Sequence, residues 1–372
     1  YGKTWKSIIT GGVEGVVRNI QVDYENPNLL FLGTELGLYI TMNGGIQWYK
    51  FTNNVPAVAI HHMDLHKESN DLVMGTHGRG IIIIDDISPL REINEQTLQE
   101  KLHFFANKPV VMDENQTFSG SFGGETQFVG SNESTLAQIK YSLKKRHTFG
   151  KMTMLVLNNK GDTISELGPG KTKGINIVNW NYSMKQPKIA KGKTFSFGGF
   201  TTPRLPAGKY TIRIKKGKDT FEHTIELIYD PKSTIPLLAR ERKREAVMEL
   251  YTMCESLAYD VYCVDAYIEY ANTAKNKKLS AKLNTLKEKM VITTGDNYVG
   301  SAEPQLREKM TNIFSRIENN PGAPTNTELE NLSQVRKRYD SSKLDLSKLE
   351  KKYKLVKRVE IKNKTAFLAA DK

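Results

Sequence analysis

Cysteine and long apolar runs are both scarce in this sequence. Its 372 residues include two cysteines, Cys254 and Cys263, in a segment with helical periodicity. At about 100° per residue their thiols lie on opposite helix faces, so we expect two small buried side chains and no mutual disulfide. No apolar run approaches the roughly 20 residues of a membrane-spanning helix, which excludes a transmembrane segment. The stretch from Tyr1 to Trp5 also lacks the basic and apolar parts of a signal peptide.

Negative charge is the minority sign, and the net charge is +13. Residues 1–95 carry 7 basic and 11 acidic side chains, residues 96–235 carry 21 and 11, and residues 236–372 carry 26 and 19. The two later regions are therefore basic, which fits contact with an anionic surface or a polysaccharide, or simply a Lys-rich solvated surface. No DNA- or RNA-binding motif accompanies the charge, so no nucleic-acid partner is predicted.

An internal repeat occupies the first 93 residues. Trp5 and Trp48 are 43 positions apart, and Asn28–Thr34 is echoed 42 positions later by Asn70–Thr76. Each of the two seven-residue copies is followed by glycine and a short apolar strand. A period of roughly 40–45 residues built from strands and turns is typical of a β-propeller blade. Two blades cannot close a ring and the sequence begins inside a motif, so we expect the last blades of a larger propeller.

The octapeptide that ends at Trp48 resembles the Asp-box of BNR-repeat propellers, Ser/Thr-x-Asp-x-Gly-x-Thr-Trp. Asn43 replaces the aspartate and Gln47 replaces the second threonine. In a hairpin turn of this kind the Asn or Asp side chain bonds nearby backbone amides, glycine takes a positive φ, and Trp packs between strands. The resemblance implies a structural role, away from any catalytic centre, for Thr41, Asn43, Gly45 and Trp48.

The segments around this box resemble the last blades of the large bacterial sortilin-like BNR-propeller proteins. These segments are Asn26–Leu30, Gly33–Tyr39, Gly75–Gly80 and Asp85–Leu90. Many such proteins, common in Bacteroidetes, are labelled glycosyl hydrolases on propeller similarity alone. The resemblance is close over residues 1–95 and extends to the later regions only in their order and outline. It implies an exported protein of the periplasm, cell surface or extracellular space, with further blades upstream.

Residues 96–235 alternate apolar and polar side chains in short runs separated by turns. Strands are predicted over Ala137–Leu143, Met152–Leu157 and Tyr210–Ile214, and Trp180 is central in another apolar run. Strands at this spacing favour an immunoglobulin-like or fibronectin-like β-sandwich.

Residues 236–372 carry apolar stripes that step by three and four residues, which predicts a small helical bundle or a long helical hairpin with a Lys-rich tail. The stripes run from Val247 to Ala271, Leu279 to Met290, Leu306 to Ile317 and Leu329 to Tyr339, and Thr325 or Thr327 can cap the last helix. The tyrosines of the first stripe form either a packed core or a partner-binding face. The predicted fold class is therefore mainly β with an α-helical C-terminal region.

Two clusters in the first region are candidates for chemistry. The Gly-rich stretch Gly75–Gly80 lacks the phosphate-loop pattern, but its His77 and Arg79 are the predicted ligand-binding residues if a ligand site exists. His62, Asp64 and His66 share one face of a predicted strand, an arrangement that can hold a metal. The favoured alternative places His66 at the start of the turn before Asn70 and the other two on a blade surface, so neither a metal nor another cofactor is predicted.

No complete catalytic site is predicted. A glycosidase needs two carboxyl groups roughly 5–9.5 Å apart, whereas the adjacent Asp85 and Asp86 point to opposite faces of a strand. The first functional hypothesis is a structural, interaction-bearing region that binds protein or glycan. The second is an accessory part of a glycoside hydrolase whose catalytic residues lie in upstream blades.

Overall fold

The structure is a computed structural model that describes residues 2–9, 11–114, 134–294 and 303–370. Two antiparallel sheets come first in the chain. The first contains β1 (Val17–Val22), β2 (Leu30–Thr34), β3 (Gly37–Thr41) and β4 (Tyr49–Phe51) in that spatial order, and the second contains β5 (Ile60–His66), β6 (Asp71–Thr76) and β7 (Ile81–Ile84). Each strand pairs with its chain neighbour because the turns between strands are short.

The two N-terminal sheets share one apolar core. Alternate residues of β2, β3, β5 and β6 are buried together in it, as the period of two along a strand requires. The sheets are in tight contact at Gly33, where an added Cβ would lie 2.9 Å from Cγ2 and from the carbonyl oxygen of Ile60. The opposite face of the first sheet buries Leu32, Tyr39 and Trp48.

Two further sheets and two short helices follow. The helices are α1 (Ser88–Glu92) and α2 (Glu95–Gln99), and the strands are β8 (Leu102–Phe104), β9 (Val110–Met112), β10 (Ala137–Leu143), β11 (Met152–Leu157), β12 (Thr163–Leu167), β13 (Gly174–Trp180), β14 (Gly208–Lys216) and β15 (Asp219–Tyr229). The sheet orders are β13-β10-β8 and β12-β11-β14-β15-β9, with β9 parallel to β15. Buried side chains of both sheets form a single cluster around Trp180, whose ring meets Tyr210 edge to face at 5.9 Å.

The C-terminal region is helical. It contains α3 (Leu237–Thr273), α4 (Lys277–Met290), α5 (Leu306–Asn319), α6 (Asn326–Tyr353), α7 (Leu355–Arg358) and α8 (Lys364–Ala369). The four longer helices bury their apolar stripes in one core, which contains both cysteines as free thiols. Thr325 caps α6 by accepting a hydrogen bond from the Glu328 N–H. The segment around Val359 and Ile361 docks on this core without forming a strand.

At its coarse level the predicted fold class is confirmed, because several small sheets precede a C-terminal helical region. Across the residues that the structure describes, the four sheets are separate and close neither a barrel nor a propeller. Within the same residues, no helix combines the length and the apolar character needed to cross a membrane.

Candidate functional site

The loop between β6 and β7 carries the two predicted ligand-binding residues, His77 and Arg79. The backbone N–H and Oγ1 of Thr76 both donate to the carbonyl of Gly80, at 3.0 and 2.7 Å. Gly78 and Gly80 have φ of 90° and 64°, in the left-handed region that favours glycine. The His77 ring stacks on His61, with centroids 5.7 Å apart. Both predicted side chains are exposed at a hairpin tip, where they can meet an anionic group of a partner.

The predicted Asp-box forms a turn held by side chain to backbone hydrogen bonds. Thr41 Oγ1 donates to Asn43 Oδ1 at 2.8 Å and accepts from the Gly45 N–H at 3.1 Å. Asn43 Oδ1 also accepts from the Gln47 N–H at 2.9 Å, and Gly45 has a φ of 89°. The asparagine thus supplies the acceptor oxygen that an aspartate would supply.

Trp48 is 6% exposed, and its indole N–H donates to the carbonyl of Ile8 at 2.9 Å. This bond fixes the N-terminal segment against the first sheet. Trp5, the other tryptophan of the repeat, is 91% exposed. The two tryptophans therefore have different roles although they occupy equivalent positions in the repeat.

His62, Asp64 and His66 lie on the exposed face of β5, as the alternation of the strand predicts. Hydrogen bonds within the chain engage two of them. His66 Nδ1 is 2.7 Å from Ser69 Oγ, and Asp64 Oδ1 accepts from the Leu65 N–H. Across the described ranges no group of three or more His, Cys, Asp or Glu side chains is arranged to hold a metal ion.

A buried polar network between the first two sheets was not predicted. Arg91, at the end of α1, donates from Nε and Nη2 to the two carboxylate oxygens of Asp23, both at 2.9 Å. Its Nη1 donates to Asn70 Oδ1 at 3.0 Å, and its guanidinium lies over the Tyr24 ring. The Asp23 side chain is fully buried, so this bidentate pair satisfies a charge that would otherwise be costly.

Asp86 links the second sheet to the region that follows. Asp86 lies beyond the end of β7, and its backbone N–H donates to Asp71 Oδ1. Its carboxylate pairs with the buried Lys140 of β10. Burial alone would raise the pKa of Asp86, but bonds from Lys140 and Ser88 outweigh it and hold that pKa below its ordinary value. The exit from the last N-terminal strand is therefore fixed by an ion pair with Lys140, a partner that the sequence did not identify.

A cavity of about 90 Å³ lies where the strands of the second region meet α3 and α5. Arg240 closes one side, donating to both oxygens of Glu114 at 2.6 Å. Burial lowers the pKa of Lys243 and of Arg244. The pKa of Glu318 is raised, because burial disfavours its carboxylate more than the Arg204 N–H and nearby cations favour it. The cavity thus concentrates cations beside a carboxylate that resists ionisation.

The thiols and tyrosines of α3 are structural. Burial raises the pKa of Cys254 to about 12 and that of Cys263 to about 11, so neither thiol is a nucleophile at neutral pH. Tyr267 is buried, and Tyr262 stacks on Phe367 of α8 with centroids 4.8 Å apart. The C-terminal helix, and not a partner, covers this part of the tyrosine face.

Comparison with known proteins gives little support for any family. No family model matches the chain, and no curated protein matches it. One solved structure, the extracellular domain of a one-component system from B. thetaiotaomicron, aligns at 10% identity with a TM-score of 0.15. The alignment covers 58% of this chain and 25% of that chain, so the match spans about a quarter of the neighbour's length. A likeness at that TM-score carries no argument about fold or function.

Proposed function

We propose that residues 1–95 are the final blades of a sortilin-like Asp-box β-propeller in an exported protein. In this proposal the whole chain is the structural, interaction-bearing C-terminal part of that protein, and it binds protein or glycan. The observation that carries the proposal is the agreement between the sequence repeat and the strand pairing. Gly33 of the first copy pairs with Leu38, and Gly75 of the second copy pairs with Ile81.

The unequal strand counts of the two N-terminal sheets also support this proposal. In the first sheet β4 pairs with the outer edge of β3. In the second sheet β7 takes the place of β3, and among the described residues its outer edge has no strand beside it. A propeller offers a natural source for the missing strand, since its ring closes by bringing distant parts of one chain into a shared blade.

The second region fits an immunoglobulin-like or fibronectin-like sandwich attached to the propeller. Two sheets enclose Trp180, and the Tyr210 hydroxyl donates to the carbonyl of Pro206 at 2.8 Å, the kind of bond found in the tyrosine corner of such domains. Asp86 with Lys140, and Glu92 with the Ala106 N–H, attach this region to the N-terminal sheets. The attachment is polar and specific, as expected of a module that holds a fixed orientation.

The test is the sequence and mass of the native protein that carries this chain. We expect a mass far above 42.1 kDa and further upstream copies of the repeat at about 42 residues, with additional Asp-boxes. Fractionation of the native cells should place the protein outside the cytoplasm. A native protein that begins near Tyr1 would contradict the propeller assignment, and a cytoplasmic protein would contradict export.

A further inference from the structure

A polar cleft of about 340 Å³ lies at the junction of three chain segments. The segment after β13 contributes Asn181 and Ser183, the strap at residues 191–203 contributes Thr201, and the end of α5 contributes Asn319. These side chains offer amide and hydroxyl groups that both donate and accept hydrogen bonds. The volume is in the range of small-molecule sites, which are about 300–1,000 Å³.

One wall of the cleft is aromatic and exposed. Phe197 and Phe200, in a short 3₁₀ turn, are 72% and 59% exposed, and both line the cleft. Phe195 packs on both rings, with centroid distances of 4.7 and 5.3 Å. Three large apolar rings held together in solvent mark a contact surface, because a monomer gains nothing by exposing them.

The aromatic wall is held in place by α5. An added Cβ on Gly198 would lie 2.2 Å from the carbonyl oxygen of Thr311, so the 3₁₀ turn lies directly on the helix. Ser196 Oγ and Thr311 Oγ1 are 2.6 Å apart, and the buried Arg307 donates to the carbonyl of Thr194 at 2.8 Å. A wall fixed before binding loses little conformational entropy when a ligand arrives.

Aromatic faces beside amides and hydroxyls match the chemistry of a sugar. The face of an aromatic ring is electron-rich and attracts the weakly positive C–H groups on the apolar face of a pyranose. The hydroxyl groups of the sugar need neighbouring groups that can both donate and accept, which Asn181, Ser183, Thr201 and Asn319 provide.

The charge around the cleft points to an acidic sugar. Arg204 and Glu318 line both this cleft and the 90 Å³ cavity described above, so the two spaces share a wall. Lys243 and Arg244 donate to the carbonyl oxygens of Asn320 and Arg204, at 2.6 and 2.7 Å. Glu318 is the carboxylate beside these two cations and Arg204, so three cations share one carboxylate. An anionic group of a ligand would balance this excess of positive charge.

We propose that the cleft between the end of β13, the Phe197–Phe200 turn and the end of α5 binds an acidic carbohydrate, with the aromatic wall stacking on a sugar ring and Arg204 facing its acidic group. The proposal goes beyond the binding role suggested above, because it assigns a site and a ligand class. It depends on residues 181–204 and 306–319, so it can fail without affecting the propeller assignment.

The test is binding of the full chain to an array of uronate-containing, sulfated, sialylated and neutral oligosaccharides, followed by titration calorimetry with the strongest binder. We expect binding to at least one acidic class, and a loss of roughly tenfold or more in affinity for F197A/F200A, as for other central aromatic contacts. F149A is the matched control, because Phe149 is 89% exposed in the loop between β10 and β11. It should bind like the unaltered chain.

Arg204→Met separates the two parts of the proposal. It should reduce affinity for the acidic ligand to that for its neutral counterpart, while circular dichroism confirms an unchanged fold. The array also separates carboxylate from sulfate as the acidic group. Absence of binding to every glycan, or binding unchanged in F197A/F200A, would overturn the site. Equal affinity of the unaltered chain for acidic and neutral oligosaccharides would overturn the acidic ligand class.

Discussion

The two N-terminal sheets come from one sequence repeat but are completed by different chemistry. The first ends in a turn whose backbone amides are bonded by Thr41 and Asn43, and its fourth strand follows at once. The second has no such box after β7. Asp86 adopts a positive φ of 47°, and the chain turns into α1, where Arg91 reaches back to Asp23.

The difference shows that the repeat specifies the strands, whereas residues particular to each copy complete each sheet. The first sheet is closed by short-range hydrogen bonds between residues two to four positions apart. The second is closed by a charge pair between residues 68 positions apart. Loss of the long-range pair should therefore affect both sheets, whereas loss of a local turn bond affects one.

Arg91→Met gives the largest expected effect. It leaves the Asp23 carboxylate buried without a partner, which costs about 3–5 kcal/mol for buried ion pairs. Hydrogen exchange followed by mass spectrometry should show faster exchange in β1, β2 and β5 together, because Arg91 lies between the sheets. Arg18→Met is the control, since the Arg18–Glu35 pair is exposed and worth about 0–1 kcal/mol. Equal effects of the two substitutions would contradict the stabilising role of the Arg91–Asp23 pair.

Alanine substitutions at the equivalent glycines of the repeat, Gly33 and Gly75, give the next largest difference in the free energy of unfolding. In Gly33→Ala the new methyl group would lie 2.9 Å from the Ile60 backbone, and such overpacking costs about 1–3 kcal/mol. In Gly75→Ala the nearest atom, His62 Cβ, is 3.9 Å away, so a change within about 0.5 kcal/mol is expected. Exchange rates of the amides of β2 and β5 measure both. A destabilised G75A with an unaffected G33A would reverse the comparison.

The smallest expected effect is the change with pH in the stability that the Asp86–Lys140 pair contributes to the fold. Because the folded-state pKa of Asp86 lies below its ordinary value of 3.8, the pair stabilises the fold above that value. This stability is lost as the pH falls through the folded-state pKa. Lys140→Met should cost about 1 kcal/mol at pH 7, since Asp86 is partly solvated, and its difference from the unaltered chain should shrink below pH 4. A difference that does not change between pH 7 and pH 3 would show that Asp86 is not the partner.

The local elements were predictable because their signals are local. Alternation placed β10 at Ala137–Leu143 and β11 at Met152–Leu157 with the observed bounds. The helical stripe from Val247 to Ala271 lies within α3, and Thr325 was one of two candidate caps. In each case the side chains that form the pattern lie within a few turns or residues of one another.

The contacts that join these elements were not predictable from the sequence. Arg91 and Asp23 carry no sign that they pair, because ionic partners distant in the chain leave no periodic pattern. The same holds for Gly198, whose need for glycine arises only from the helix beneath it. No pattern in the sequence singles out Phe197 and Phe200, because a sequence pattern does not report how far each side chain is exposed.

No strand in the described part of the chain pairs with the outer edge of β7, and this has a consequence for handling the protein. β7 consists of four isoleucines without a charge or a proline, and Ile81 and Ile83 are 72% and 54% exposed. An uncharged edge strand of this kind is a template for pairing with a second molecule, so the chain should self-associate as its concentration rises. The substitution Ile83→Lys would place a charge on this edge, which disfavours strand pairing between molecules and should keep concentrated solutions of the chain monomeric.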